Sequence, residues 1–202
     1  MMANVNSQVQ EGKLLPARAI TSVDAIVAAA RRVLEADGLA AVTMQRVAGE
    51  VGVRPPSLYK RIRDHADLMH RLSTEIATEL ADKLDAAATG DPERDIQALA
   101  ATFRDWAHNN PESFTLLTAL VPDAWRADQS VNGRTGGAIL HAVQPLVGDD
   151  DALDAARTLV AFVTGFVSLE LAGGFRMGGD PSTAYRYGID ALTRAMHTPT
   201  HD

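Results

Sequence analysis

Apolar side chains recur at three- and four-residue intervals along nearly the whole chain, and nowhere do they alternate with the two-residue period of a half-buried strand. A chain patterned this way can bury its apolar surface only by packing helix on helix, so the predicted fold class is all-α. Val23, Ile26, Val27, Ala30, Val33 and Leu34 mark a first amphipathic helix behind Thr21 and Ser22, with Gly38 as its stop signal. Thr43 has the position of an N-cap for a short helix bearing Met44, Val47, Ala48 and Val51, which Gly52 closes. Pro55 and Pro56 fit only before or within the first turn of a third helix, expected to run through Ser57, Leu58, Tyr59 and Ile62. A long helix capped near Asp64 should follow, carrying Leu68, Leu72, Ile76, Leu80 and Leu84 on one stripe until Thr89, Gly90 and Asp91 break it.

After Pro92, the residues Ile96, Leu99, Phe103, Trp106 and Ala107 define another amphipathic helix, and Pro111 opens a short one with Phe114, Leu117 and Leu120. Asn132, Gly133, Gly136 and Gly137 interrupt the stretch 122–147, which reads as two helical pieces or one helix with a loose middle. Asp149, Asp150 and Asp151 most simply place negative charge at the N-terminus of the next helix, about 152–172, rather than forming a metal site. The last helix carries Tyr185, Ile189, Leu192 and Met196.

With 202 residues the chain holds one full-sized domain or a small module and a larger one, and without cysteine it excludes disulfides, thiolate metal sites and cysteine nucleophiles. No signal-peptide pattern opens it, and the apolar stretch from Leu159 to Phe175, interrupted by Thr164, Gly165, Ser168 and Glu170, reads as a buried helix rather than a membrane span, so a cytoplasmic location without membrane contact is expected. A net charge of −7 argues against a nucleic-acid partner until it is divided. Residues 1–75 carry ten Lys or Arg against eight Asp or Glu, a net of +2, and residues 76–202 carry nine against eighteen, a net of −9. Arg54, Lys60, Arg61 and Arg63 fall in a run free of acids, which is a solvated face unless the surrounding fold gives it a partner.

That fold is implied by TMQRVAGEVGVRPPSLYKRIRDHADL, residues 43–68, which has the spacing of a helix-turn-helix. In this arrangement one short helix crosses the sugar–phosphate backbone and the second enters the major groove. With the leading helix, the link EADGLAAVTM, the LYKRI core and the long connecting helix, the segment resembles the TetR family of bacterial transcription regulators. The resemblance implies a three-helix helix-turn-helix domain joined by a long helix to a helical ligand-binding and dimerisation domain. It gives Thr43 a capping and phosphate role and puts Gln45 and Arg46 in the first turn of the backbone-crossing helix, with Gln45 in reach of a base. Arg54, Pro55, Pro56 and Ser57 then form the loop and first turn of the recognition helix, where an Arg can bond two guanine acceptors. Tyr59 and Lys60 match phosphate-binding positions, although Tyr59 serves equally as a packing residue. Arg61 extends the basic face; it and Ile62 replace the family's commoner His and Phe, which bears on the target sequence more than on the fold.

The remainder resembles the family's second domain, and VTGFVSLELAGGF is similar to one of its subgroups, in which a His commonly stands where Thr164 stands here. The expected organisation is a flexible N-terminal arm (1–20), a DNA-binding domain (21–66) and a ligand-binding and dimerisation domain (67–198). A homodimer is implied, with Val160, Val163, Val167, Leu171, Tyr185, Ile189, Leu192 and Met196 as interface candidates, the plain alternative being that these stripes form the protomer's own core. Phe103, Trp106, Phe114, Trp125, Phe162 and Phe166 are the candidate pocket walls, again with core packing as the alternative. Only Arg104, His108, Arg126 and His141 offer polar groups nearby, so a small, largely apolar effector is expected. The resulting expectation is a repressor released from a palindromic double-stranded DNA operator by that effector, with no catalytic residues, metal or cofactor. From the residues alone, a helical enzyme acting on an apolar metabolite and a dimeric protein-binding adaptor stay open.

Overall fold

A computed structural model describes residues 22–197, so the expected arm at 1–20 lies outside the described residues. Among the described residues all regular structure is helical. Helix α1 spans Val23–Asp37, and Ser22 caps it by accepting the Ala25 N–H at 3.1 Å. Helix α2 spans Met44–Val51, α3 Pro55–Leu58 and α4 His65–Ala87. Helix α5 spans Pro92–Asn109, α6 Pro111–Thr118, α7 Gln129–Leu171 and α8 Pro181–Met196. Short 3-10 turns occupy Leu39–Ala41 and Asp123–Trp125.

Helices α1, α2 and α3 enclose a small core of Ile26, Ala30, Val33, Leu34, Val47, Ala48, Leu58 and Ile62, all buried. α4 leaves this head and runs between α5, α6 and α7, burying Leu68, Leu72, Ile76, Leu80 and Leu84. Its stripe therefore belongs to one continuous core shared by head and body. Three further links hold α1 to the body. Glu35 accepts the Ser113 N–H at 3.1 Å and the Ser113 hydroxyl at 2.5 Å, Arg31 donates to Asn110 Oδ1 at 3.1 Å, and Arg31 also pairs with Glu79.

Two expectations change. The third helix is regular only over Pro55–Leu58; the turn after it tightens, with the Arg61 N–H bonding the Leu58 carbonyl three residues back at 2.8 Å, and the fully buried Ile62 follows it. The glycines of 122–147 do not break α7. The break falls at Gly148, whose φ of 80° is the conformation glycine adopts without a Cβ penalty, and it divides α7 into arms 129–147 and 149–171. The aspartates at 149–151 open the second arm, where the helix dipole favours them.

Candidate nucleic-acid interface and effector cavity

Thr43 accepts the Arg46 N–H at 3.2 Å and so fixes the start of α2. Gly52, at φ 80° and ψ 27°, closes it with the left-handed turn that sets α2 and α3 at an angle, and the Val53 N–H returns to the Ala48 carbonyl at 2.9 Å. Gln45, Arg54, Pro56, Tyr59, Lys60 and Arg61 are exposed on the resulting corner, and Tyr59 is 54% exposed, too open for a packing role alone. Pro55 and Ser57 are half-buried at its edge.

The cations of the head divide into two sets. Arg32 pairs with Glu50 at 2.9 Å, Arg46 with Asp37 at 2.9 Å and Glu50 at 3.8 Å, Arg63 with Asp64 at 3.0 Å, and Arg71 with Asp67 at 2.9 Å. Hydrogen bonds from the Asp67 N–H and then from Arg63 hold the Asp64 carboxyl below the usual carboxylate range. Burial alone would raise Asp67, but bonds from the Arg63 N–H and the Arg71 guanidinium overcome it and lower that carboxyl too. Both acids stay ionised, which neutralises Arg63 and Arg71 locally. Among the described residues, the side chains of Arg54, Lys60 and Arg61 have no such partner. The unneutralised positive charge thus sits beside and along α3 and the turn after it, a surface suited to an anionic partner. Arg46 is exposed but committed to Asp37, so it would reach a phosphate only by exchanging partners.

A cavity of about 260 Å³ lies between α4, α5, α6 and α7, lined by Ala77, Leu80, Leu84, Leu99, Ala100, Phe103, Leu117, Thr118, Asn132, Thr135, Gly136, Ile139, Leu159, Val160, Val163 and Thr164. None of these side chains carries a charge. Of the expected aromatic walls only Phe103 lines it. Trp106 and Phe114 are core residues, 3% exposed, and Trp125 packs edge-on against His65 at 5.3 Å. Phe162 and Phe166 join Tyr185 in a ring cluster between α7 and α8, with centroids 5.1–5.9 Å apart. The space exists where side chains are small, at Ala77, Ala100 and Gly136, and large rings fill the places expected to be walls. The alternation of Ala77 and Ala100 with leucines is the sequence signal for it, and Thr164, notable in the sequence only for the His it replaces, proves to be a lining residue.

The polar candidates are likewise placed elsewhere. Arg104 donates to both oxygens of Glu170, at 2.8 and 2.6 Å, and to Ser182 Oγ at 3.0 Å, and its guanidinium stacks over the Tyr185 ring at 5.1 Å. His108 bonds the same Glu170 at 3.2 Å. This network ties α5 to the ends of α7 and α8. Arg126 pairs with Asp123 at 3.1 Å on the surface, and His141 is exposed.

The interface candidates also need correction. Val163, Val167, Tyr185, Ile189 and Met196 are at most 9% exposed within one protomer, and the Tyr185 hydroxyl donates to the Ala100 carbonyl at 2.8 Å, so these side chains hold α7 and α8 to the body and have no surface left for a partner. Val160 is 40% exposed, and Leu171 and Leu192 are half-buried. The uncovered side of the same helices presents Leu153, Ala161, Gly165, Leu169, Ala184, Tyr187 and Ala195. For the five buried candidates the helical period holds but the face is the inner one, whereas Val160 stays on the uncovered side.

Residues 26–72 match the bacterial regulatory proteins of the tetR family, and residues 96–192 match the Tetracyclin repressor-like C-terminal domain. An uncharacterised HTH-type transcriptional regulator of Mycobacterium tuberculosis is 25% identical over 155 residues, which span 75% of this chain and 71% of the relative. The fold is shared with a Rhodococcus protein of unknown function, at TM-score 0.73 and 22% identity over 94% of this chain and 100% of that one. It is also shared with BioQ bound to its natural double-stranded DNA operator, at TM-score 0.64 and 24% identity over 87% and 97% of the two chains. With its head matched to one half of that family, its body to the other and its fold to their solved structures, the chain belongs to the TetR family of DNA-binding transcriptional regulators.

Proposed function

We propose that the protein is a homodimeric repressor that a small, largely apolar molecule releases from a palindromic operator. The carrying observation is the set of free cations at Arg54, Lys60 and Arg61 on the corner formed by α2 and α3. Thr43, Gln45, Pro55, Pro56, Ser57 and Tyr59 surround them and complete the proposed DNA surface, which Arg46 joins on leaving Asp37. One short helix reads few base pairs, and a twofold dimer would set two such corners about 34 Å apart in successive major grooves. The uncovered apolar side of the arm 149–171 and of α8 supports pairing there. An enzyme reading has no support beyond the cavity itself, since the family is one of regulators.

Release follows by linkage, because an effector shifts the operator equilibrium only by its differential affinity for two arrangements of head and body. α6 is suited to carry the difference: Leu117 and Thr118 line the cavity at one end, while Asn110 and Ser113 hold Arg31 and Glu35 of α1 at the other. α4 offers a parallel route, since His65 donates to the Val42 carbonyl at 2.7 Å beside the Thr43 cap and meets Trp125 on its other side. Selection of bound duplexes from a random pool tests the reading: recovery of a two-fold symmetric site supports it, and absence of enrichment contradicts it. Titrating that operator complex with compounds that occupy the cavity tests the release, which fails if affinity is unchanged at saturation.

A further inference from the structure

The cavity between α4, α5, α6 and α7 has a closed floor and an open rim. Leu84, Leu99, Leu159 and Val163 are buried in its floor, whereas the lining residues Asn132, Gly136 and Val160 are exposed. On the first arm of α7, Asn132, Gly136, Ile139 and Val143 succeed one another at helical intervals along one stripe. Exposure falls along that stripe, from the exposed Asn132 and Gly136 through the half-buried Ile139 to the fully buried Val143. The space is therefore shut toward the break at Gly148 and open at the 132–136 end, with Val160 on the rim contributed by the second arm. Nothing local requires glycine at 136. Its φ is helical, as are those of Gly133 and Gly137, and a Cβ built on any of the three meets no atom within 4 Å. Inside a helix glycine is the weakest former after proline, so each of these positions forgoes stability that alanine would supply. Gly133 and Gly137 do not line the cavity, and Gly136 does, so a side chain at 136 would stand in the open space of the rim.

We propose that Gly136 is the entry residue of this site: its missing side chain keeps the mouth wide enough for an apolar molecule to pass, at the expense of helix stability in the first arm of α7. The proposal rests on the effector reading above and adds where the ligand enters and which residue governs its passage. A residue at a mouth has a kinetic signature of its own. Entry and exit cross the same barrier, so raising that barrier slows both and leaves the equilibrium between free and bound nearly unchanged. A residue of the wall instead changes the bound state and therefore the affinity. The competing account of the three glycines is that together they loosen the arm, so that ligand enters by local opening of the helix. Gly133 separates the two accounts, because it lies one turn from Gly136 on the same arm, is exposed, and has no part in the lining.

Stopped-flow mixing of the full-length protein with N-phenyl-1-naphthylamine, a neutral fluorophore whose emission rises in apolar surroundings, tests the assignment. Gly136→Leu is expected to slow association and dissociation together by about tenfold while Kd changes by less than about threefold, and Gly136→Ala should slow both by less. Gly133→Leu should leave both rates within about twofold of wild type. Each leucine variant should raise the Tm of the ligand-free protein by about 2–3 °C, which separates slower exchange from damage to the fold. Equal slowing by Gly133→Leu, a changed Kd with unaltered association, wild-type rates in Gly136→Leu, or a lower Tm for Gly136→Leu would each overturn the proposal. Ala77→Leu, which fills the cavity from α4, separates the two levels of the claim, and Thr164→Leu takes its place should that variant not fold. If it abolishes probe binding while Gly136→Leu exchanges at the wild-type rate, the cavity reading stands and the entry assignment falls. If the probe binds it as it binds wild type, or does not bind wild type, the cavity reading falls and the proposal with it.

Discussion

Gly188 lies on α8 directly against the Phe162 ring of α7, and a Cβ built on it would meet Phe162 Cζ at 2.1 Å and Cε2 at 2.7 Å. The ring has little room to retreat, since Tyr185 stacks on it with centroids 5.9 Å apart and Phe166 lies 5.7 Å away. Two opposing magnitudes then decide the effect of Gly188→Ala. Replacing glycine by alanine inside a helix gains about 1 kcal/mol. Overpacking a filled contact costs about 1–3 kcal/mol. The net expectation is a loss of up to about 2 kcal/mol, or roughly 4–8 °C in Tm at the upper end for a chain of this size. Shortening the ring removes the clash while keeping the helix gain, so in a Phe162→Leu background the same substitution should raise Tm by about 2–4 °C. Thermal unfolding of the four proteins, followed by circular dichroism at one fixed protein concentration, yields the coupling as a change of sign. An equal rise of Tm in both backgrounds would refute the reasoning, for it would mean that the ring moves aside without cost.

Two predictions concern titrating groups of the body and its junction with the head. Burial alone would raise the Glu170 carboxyl, but the bonds from Arg104 and His108 overcome it and hold it below its ordinary value of 4.5. Its stabilising contribution is therefore complete above that value and is lost as pH falls through the lower folded-state value. Glu170→Gln should cost about 1.5–3 kcal/mol at neutral pH, the range for hydrogen bonds to a charged group, with the difference from wild type closing in acid. A pH-independent difference in unfolding would contradict the assignment. Glu75 is shifted the other way, since burial pushes its carboxyl up more than Arg31 pulls it down. The ionised form then costs the folded state at neutral pH, and the cost fades as pH falls through the raised value. Glu75→Gln should raise Tm at pH 7 with a gain that shrinks in acid, and an unchanged or lower Tm at pH 7 would count against it.

The head is legible in the sequence because its signals are local. The Thr43 cap, the Gly52 turn and the prolines at the start of α3 each determine conformation within a few residues, and all stand where the spacing puts them. The length of α3 is not legible, because it ends where the turn ahead of the buried Ile62 tightens. The body shows the same division. Helical periodicity identifies apolar stripes on α7 and α8 but not which stripe faces the body. Tyr185 and Tyr187 are the same residue type two positions apart, yet one is 3% exposed and the other 71%. What separates them is the neighbouring helix, since the Ala100 carbonyl of α5 receives the Tyr185 hydroxyl. The cavity is misplaced in the sequence reading for a related reason. Large aromatic residues suggest walls, but they fill space, and the opening arises from small residues on different helices that only the packing brings together at Ala77, Ala100 and Gly136.

The central claim is that DNA meets the free cations around α3 and its following turn, and not a cation such as Arg32 that stays paired inside the head. Its most direct test is the salt dependence of operator affinity for wild type, Lys60→Ala and Arg32→Ala. Each phosphate contact contributes about −0.9 to the slope of log K against log salt, so losing one Lys60 contact per protomer of the proposed dimer should flatten that slope by about 1.8. Arg32, engaged with Glu50, should leave the slope unchanged. A slope that Lys60→Ala does not alter, or that Arg32→Ala flattens equally, would contradict the account.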